Sequence, residues 1–505
     1  MAEPHAERLE KLQSWKNRGV LPYPYAFRRT HNTAEVRAQE EALGETQIAV
    51  AGRIMTMRGH GKTSFAHILD ASGRLQIYAR RDDLGEEPYA DWKLLEVGDW
   101  IGVRGETFRT RTGELTVHVR AFELLSKSLQ PLPDKWHGLA DKEVRFRQRY
   151  VDLIVNPDVR EVFVKRSHIL SSMRTQLTAR GFLEVETPVL QPLYGGASAR
   201  PFTTHHNALD FDFFLRIAPE LYLKRLLVGG FEGVFEMARN FRNEGMDRTH
   251  NPEFTMLELY VALWDYEDML QLTEELVATL AEQVGGAARL PYGEHEIDFS
   301  RPFRRLSYLD ALEEAAGCSL RERDAAALRA EARRLHVEVR RDAERGEVFE
   351  ALFGALVEPD LVQPTFVLDH PKEISPLAKD HRSQPGVVER FELFAANMEL
   401  ANAFSELNDP VEQRQRFEAQ VALREAGDLE AQPLDEDYLR ALEFGMPPAG
   451  GLGIGVDRVV MLLTNSHSIR DVLLFPALRP TSGSVAPADG EPDAAAQLGE
   501  AGGEG

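Results

Sequence analysis

The chain has 505 residues, 43% hydrophobic and 28% charged, the composition of a globular protein with roughly two to four domains. Its single cysteine, Cys318, excludes an internal disulfide and any zinc cluster built on cysteines. Net charge −22 speaks against a polyanion partner, but residues 1–150 carry 24 Lys and Arg against 21 Asp and Glu, and the remainder 35 against 60. That split permits a nucleic-acid site at the front of the chain.

No apolar run approaches the roughly 20 residues of a membrane helix, and the charge-alternating N-terminus lacks the apolar stretch of a secretory leader. A cytoplasmic protein with no membrane partner is expected. Residues 1–45 read as a helical extension, with a charged helix over Ala6–Arg18 ended by Gly19. Over 46–130 short strands alternate with turn signals (IAVAGRIM, SFAHILDASGRLQIYARR, DWIGVRGETFRT, LTVHVRAFEL), the pattern of a small closed barrel such as the oligonucleotide-binding (OB) fold. Within it GHGKT (Gly59–Thr63) is a turn, not a phosphate loop: Thr56 stands where the first glycine belongs and a strand follows.

Residues 131–145, containing PLPDKW, form a linker. Over 146–480 the pattern is α+β. A helix over Val159–Arg180 precedes strands at Leu183–Glu186, Phe213–Ile217, Val234–Phe241, Pro252–Val261, Val388–Phe394, Leu400–Asn408 and Gly450–Gly455, which predict a mostly antiparallel sheet. A charge-laced helical insertion at about 305–350 interrupts it. Residues 481–505 are Gly, Ala, Pro and acidic residues, and a disordered tail is expected there.

Three segments aim chemistry in one direction. Side chains on a strand repeat every two residues, so Phe254, Glu258 and Tyr260 share one face while Thr255, Leu257, Leu259 and Val261 make a core face. Asn402, Phe404 and Glu406 align in the same way. Aromatics interleaved with carboxylates over an aliphatic face favour a pocket, although a solvated sheet face fits each segment alone. Gly451, Gly453 and Gly455 strip one strand face and leave room for a flat ligand or for a close neighbour. In ARNFRNEGMDRTHNP, Arg239, Arg242 and Arg248 flank an expected loop, and a planar guanidinium suits phosphate and carboxylate bidentately. His205 and His206 are adjacent and point apart on a strand, which argues against a metal there.

Taken with Gly181–Leu190 ahead of them, segments of the chain stand in an order that resembles the three signature motifs of class II aminoacyl-tRNA synthetases. GFLEVETPVL (Gly181–Leu190), with Pro188, resembles motif 1; FEMARNFRNEG…HNPEFTMLELY (Phe235–Tyr260) resembles motif 2; GLGIGVDRVVMLL (Gly451–Leu463), with Arg458, resembles motif 3. Within that class PYPYAF, GGASARPF, RIAPELYLKRL and NAFSELNDP resemble the bacterial lysyl-tRNA synthetase family, over about Arg8 to Pro480. The resemblance implies an OB-fold anticodon domain and a class II catalytic domain. The implied reaction is ATP-dependent attachment of L-lysine to tRNA(Lys) through a lysyl-adenylate, with release of pyrophosphate and AMP. An acceptor other than tRNA, or an inactive tRNA-binding protein, is the alternative.

The resemblance also implies residues. Arg242 bridges the amino-acid carboxylate and the α-phosphate, and Arg458 holds the γ-phosphate end. Glu244, His250, Asn251, Phe254 and Gly455 surround ATP, and Glu392 and Glu399 hold Mg2+ on its phosphates. Lysine is met by Gly196, Glu220, Asn402 and Phe404, with its ε-ammonium on Glu258, Glu406 and Tyr260, because a buried ammonium must be paired. Phe65 stacks an anticodon base beside Arg58, Gln76 and Glu114, and Pro188 lies in the interface of a homodimer. One departure stands out: Ala401 and Ala403 flank Asn402, and Ala396-Asn397 precedes Glu399, where glycines are usual, which bears on the geometry of that turn.

Overall fold

A computed structural model describes residues 5–133, 139, 141–425, 427 and 430–480. The expected disordered tail at 481–505 and part of the expected linker lie outside the described residues. The chain divides into two compact units, Met1–Asp141 and Lys142–Gly505.

In the first unit five strands close a barrel: β1 (Ile48–His60), β2 (Thr63–Leu69), β3 (Arg74–Arg80), β4 (Trp100–Arg109) and β5 (Leu115–Ser126), in the order β1-β2-β3-β5-β4. β1 is long enough to pair with β4 through its first half and with β2 through its second, and a register break between Ile54 and Thr56 bends it between the two. Gly61, at positive φ, turns β1 into β2, so the GHGKT segment is a hairpin turn as expected. The barrel interior is aliphatic, with Val50, Ile68, Ile77, Val103 and Val117 fully buried. Trp15, from the helix Ala6–Asn17, belongs to the same core.

The second unit is built on eight strands: β6 (Leu183–Glu184), β7 (Gly233–Phe241), β8 (Glu253–Ala262), β9 (Arg304–Ser307), β10 (Thr365–Leu368), β11 (Arg390–Ala395), β12 (Met398–Ser405) and β13 (Ala449–Gly455). Their order is β9-β10-β11-β12-β13-β8-β7-β6, antiparallel except at β9–β10 and β7–β6. One face of the central strands packs against helices. Leu257 and Leu259 of β8, Ala401 and Ala403 of β12 and Ile454 of β13 join Ile169 and Met173 of the helix Pro157–Ala179 and Leu276 of the helix Tyr266–Leu280 in one core. Helices therefore take that face, and the opposite face is left to form a cavity.

Two expectations need correcting. The 305–350 segment does not open on a helix: Arg304–Ser307 is an edge strand of the large sheet, too short and too charged to show a period, and helices Tyr308–Ala316, Ala325–Arg334 and Arg345–Leu356 follow. The strand expected at Phe213–Ile217 runs over Phe211–Leu215 and sits in a separate three-stranded sheet with Leu190–Gln191 and Thr203–His206.

Candidate active site

A cavity of about 370 Å³ opens over β8, β13 and β12. Its floor follows from the register. Gly451 lies between Tyr260 and Phe404, and Gly453 between Glu258 and Asn402, so each glycine sits where a side chain would project between two pocket residues. A Cβ on Gly451 would stand 1.8 Å from Glu406 Oε1 and 2.7 Å from Tyr260 Cε1. Phe254, Met256, Glu258 and Tyr260 line the cavity, while Leu257, Leu259 and Val261 face the core. The pocket reading of these strand faces therefore replaces the solvated-face alternative.

At the inner end, Glu258 is 4% exposed and Tyr260 is 3% exposed. The Tyr260 hydroxyl donates to Glu258 Oε2 at 3.1 Å. Burial, with the Glu220 charge nearby, pushes the Glu258 carboxyl up to about 8. Gly196, at φ +84°, lies against Glu220: a Cβ there would be 2.8 Å from Glu220 Cβ. Glu406 is the exception among the expected lining residues. The strand ends at Ser405, and Glu406 is buried just behind the wall, ion-paired with Lys224. Lys224 also donates to Glu220 Oε1 at 2.6 Å.

At the outer end the Arg242 guanidinium lies 5.1 Å from the Phe254 ring centroid. Its buried Nε and the buried Oδ1 of Asn251 have no hydrogen-bond partner among the described residues, which is what polar groups meant for a ligand would show. Arg458, on the helix Val456–Leu463 that begins at Gly455, donates to the Glu399 carbonyl at 2.8 Å and lies 3.3 Å from His250 Nε2. Glu244, His250, Glu392 and Glu399 line the same opening. Enclosure and the facing Glu392 charge push the Glu399 carboxyl up, against the pull of Arg458. Two carboxylates that repel each other across an opening fit a divalent cation shared with phosphate oxygens.

Arg390 was not expected from the sequence. It donates to Asn402 Oδ1 at 3.1 Å and to Glu392 Oε1 at 2.6 Å, and so joins the two ends of the cavity. Its signal was the alternation that places it on the face of Glu392, opposite the buried Phe391 and Leu393.

On the barrel, Arg58, Phe65 and Tyr78 face one another across β1, β2 and β3. The Phe65 ring is 36% exposed and 4.7 Å from Tyr78, so it is not a core residue. Gln76 donates to Glu114 Oε2 at 2.7 Å, and His67 lies 2.9 Å from Glu114 Oε1. His205 is paired with Asp212 at 2.8 Å on an exposed hairpin. Pro188 is exposed, beside the exposed Val189 and Leu190.

Residues 141–479 match the family described as tRNA synthetases class II (D, K and N), and residues 48–125 match the OB-fold nucleic acid binding domain. A lysine–tRNA ligase of Syntrophomonas wolfei is 56% identical over 477 residues, 94% of this chain and 97% of the relative. One of Carboxydothermus hydrogenoformans is 55% identical over 474 residues, with 94% and 97% covered. One of a Thermoanaerobacter species is 54% identical over 475 residues, with 94% and 95% covered.

Proposed function

The chain belongs to the class II tRNA synthetases, and from that premise we propose that it attaches L-lysine to tRNA(Lys) in two steps. The lysine carboxylate attacks the α-phosphorus of ATP, and the bond to pyrophosphate breaks to give lysyl-adenylate. A ribose hydroxyl of the terminal adenosine then takes the lysyl group, releasing AMP and a proton. No protein nucleophile is required, so positioning and charge stabilisation carry the rate.

The observation that carries this reading is the polarity of one cavity. Buried carboxylates, Glu220 and Glu258, stand at its inner end, and the guanidiniums of Arg242 and Arg458 stand towards its opening. A diamino acid fits with its ε-ammonium on Glu258 and Tyr260, backed by Glu406, and its α-ammonium on Glu220 beside Gly196. Its carboxylate then points to Arg242 near Asn402, and Phe404 packs along the stem. ATP fits with its adenine on Phe254 and its phosphates towards Arg242 and Arg458, with Glu244, His250, Asn251 and Gly455 around it. Glu392 and Glu399 would hold Mg2+, which supplies charge neutralisation on the phosphates when bound. Arg242 holds carboxylate and α-phosphate together, and the glycine strip admits the substrate without a side chain in the way.

The barrel face of Arg58, Phe65, Gln76 and Glu114 suits a splayed-out anticodon base, by stacking and edge hydrogen bonds. Among the described residues no helix is long and apolar enough to cross a membrane, and a cytoplasmic homodimer paired through the Pro188 segment completes the reading.

The test is amino-acid-dependent ATP–pyrophosphate exchange without tRNA, run over the twenty amino acids and ornithine. Lysine is expected to dominate. Ornithine, one methylene shorter, should trail by about 1–3 kcal/mol, and leucine or methionine should fail, because they lack the ε-ammonium and leave Glu258 desolvated and unpaired. Exchange led by another amino acid would overturn the assignment.

A further inference from the structure

Lys224 has no place in the reaction outlined above, yet it sits against the amino-acid site. It lies one turn after Glu220 on the helix Glu220–Val228 and is completely buried. Its Nζ is 2.6 Å from Glu220 Oε1, is ion-paired with Glu406, and lies 5.4 Å and 5.9 Å from the ring centroids of Phe404 and Tyr260. A buried ammonium is expensive unless paired, and these two carboxylates hold the Lys224 amine above its ordinary range. It is therefore a permanent charge inside the pocket wall.

Counting charges gives this contact a meaning. Three buried carboxylates, Glu220, Glu258 and Glu406, surround the inner end of the cavity. Free L-lysine brings two ammonium groups. Resting on the lysine reading, we propose that Lys224 is a positioning residue that sets the charge of this pocket: its ammonium bridges Glu220 and Glu406 and cancels one carboxylate, so that the charge left matches the two ammonium groups of the substrate.

The groups facing Lys224 come from four elements. They are Glu220 on its own helix, Tyr260 on β8 with Glu258 hydrogen-bonded to it, Glu406 after β12, and Tyr438 on the helix Glu436–Glu443, whose buried hydroxyl has no partner among the described residues. Arg242, Arg225 and Arg390 lie further out and keep their charge at any working pH. Burial pushes the Glu220 and Glu406 carboxyls up, and Lys224 is the first charge pulling each of them down. Without Lys224 the pocket retains an extra proton at neutral pH. Lysine must displace that proton to bind.

The experiment is lysine-dependent ATP–pyrophosphate exchange between pH 6.5 and 9 for the unmodified protein, Lys224→Met, and Lys224→Met combined with Glu406→Gln. In the unmodified protein the KM for lysine should fall with rising pH and level off near the Glu258 value of about 8. In Lys224→Met the lysine KM at pH 7 should rise roughly tenfold or more while the ATP KM stays within about twofold, and the levelling-off should move about one pH unit alkaline. The double variant removes charge and countercharge together, so its KM stays raised but its profile returns to the unmodified position. It also covers the case in which Lys224→Met alone does not fold. A lysine KM raised equally at every pH, or a double variant whose profile stays shifted, would overturn the proposal and leave Lys224 as packing. Absence of lysine-dependent exchange in the unmodified protein would sink the lysine reading and this inference together.

Discussion

Glu258 is a carboxylate that its surroundings oppose until a cation arrives. Its carboxyl is raised to about 8 from an ordinary 4.5, first by burial and then by the charge of Glu220. The free protein therefore binds a proton there that the unfolded chain has already lost. The sign follows: the group's contribution to stability is full below the ordinary carboxyl pKa and is lost as pH rises towards 8. An ammonium in the pocket reverses this by stabilising the ionised form. Lysine should thus raise the melting temperature more at pH 8 than at pH 6.5, read by a thermal shift at saturating lysine; an equal shift at both would remove Glu258 from the site. Glu258→Gln should lower kcat/KM for lysine in pyrophosphate exchange by roughly 10²–10³-fold, the cost of breaking a buried charge pair, with ATP binding intact by calorimetry. Alternation along β8 made Glu258 and Tyr260 legible, because the aliphatic face declared which side was core. Lys224 was not legible: within ELYLKRL, Glu220 and Lys224 read as an ordinary helical i, i+4 pair. Only the fold brings Glu406 to the same ammonium.

At the scale of elements, β13 is what turns a sheet face into a cavity. Its glycine spacing announced a bare strand face, but not which neighbours needed it bare. The register supplies them, Tyr260 and Phe404 beside Gly451 and Glu258 and Asn402 beside Gly453. Gly451→Ala should therefore abolish lysine activation, since the new methyl would occupy space already taken by Glu406 and Tyr260, while the outer ATP end keeps its affinity; unchanged lysine KM would refute the close approach. The Ala396-Asn397 turn behaves differently from the departure noted in the sequence. Both residues take positive φ, and Asn397 Nδ2 donates to the Glu358 carbonyl at 3.1 Å. The hairpin is thus made without its usual glycines, and Glu399 still reaches the cavity. The edge strand β9 was hidden because four residues, RRLS, carry no readable period.

At the scale of the whole chain, two units divide the work, and the charge split between them suits that division. The mildly basic front third holds the barrel face on which the Phe65 ring lies tilted against Tyr78, and the acidic remainder holds the cavity proposed for the small substrates. The proposed pairing of two copies through the segment around Pro188 rests on the resemblance of that segment to motif 1, and it would cover the exposed Leu183, Val189 and Leu190 that flank it. Pro188→Gly should lower the fraction of dimer at nanomolar concentration by mass measurement, and an unchanged mass would remove that residue from the interface. The barrel and the cavity should also fail separately. Adenylate formation needs only the cavity, so Phe65→Ala should leave lysine-dependent pyrophosphate exchange at its original rate. Charging of tRNA(Lys) needs the anticodon held as well. Loss of one stacked base is worth about 1–3 kcal/mol, which raises the KM for tRNA roughly tenfold to a hundredfold at fixed salt. Because Phe65 is half-exposed and its ring leans on Tyr78 rather than on the interior, truncation leaves Ile68, Ile77 and Val117 packed, and the melting temperature should barely move. A variant that lost exchange along with charging, or that melted early, would show that Phe65 holds the barrel together rather than a base.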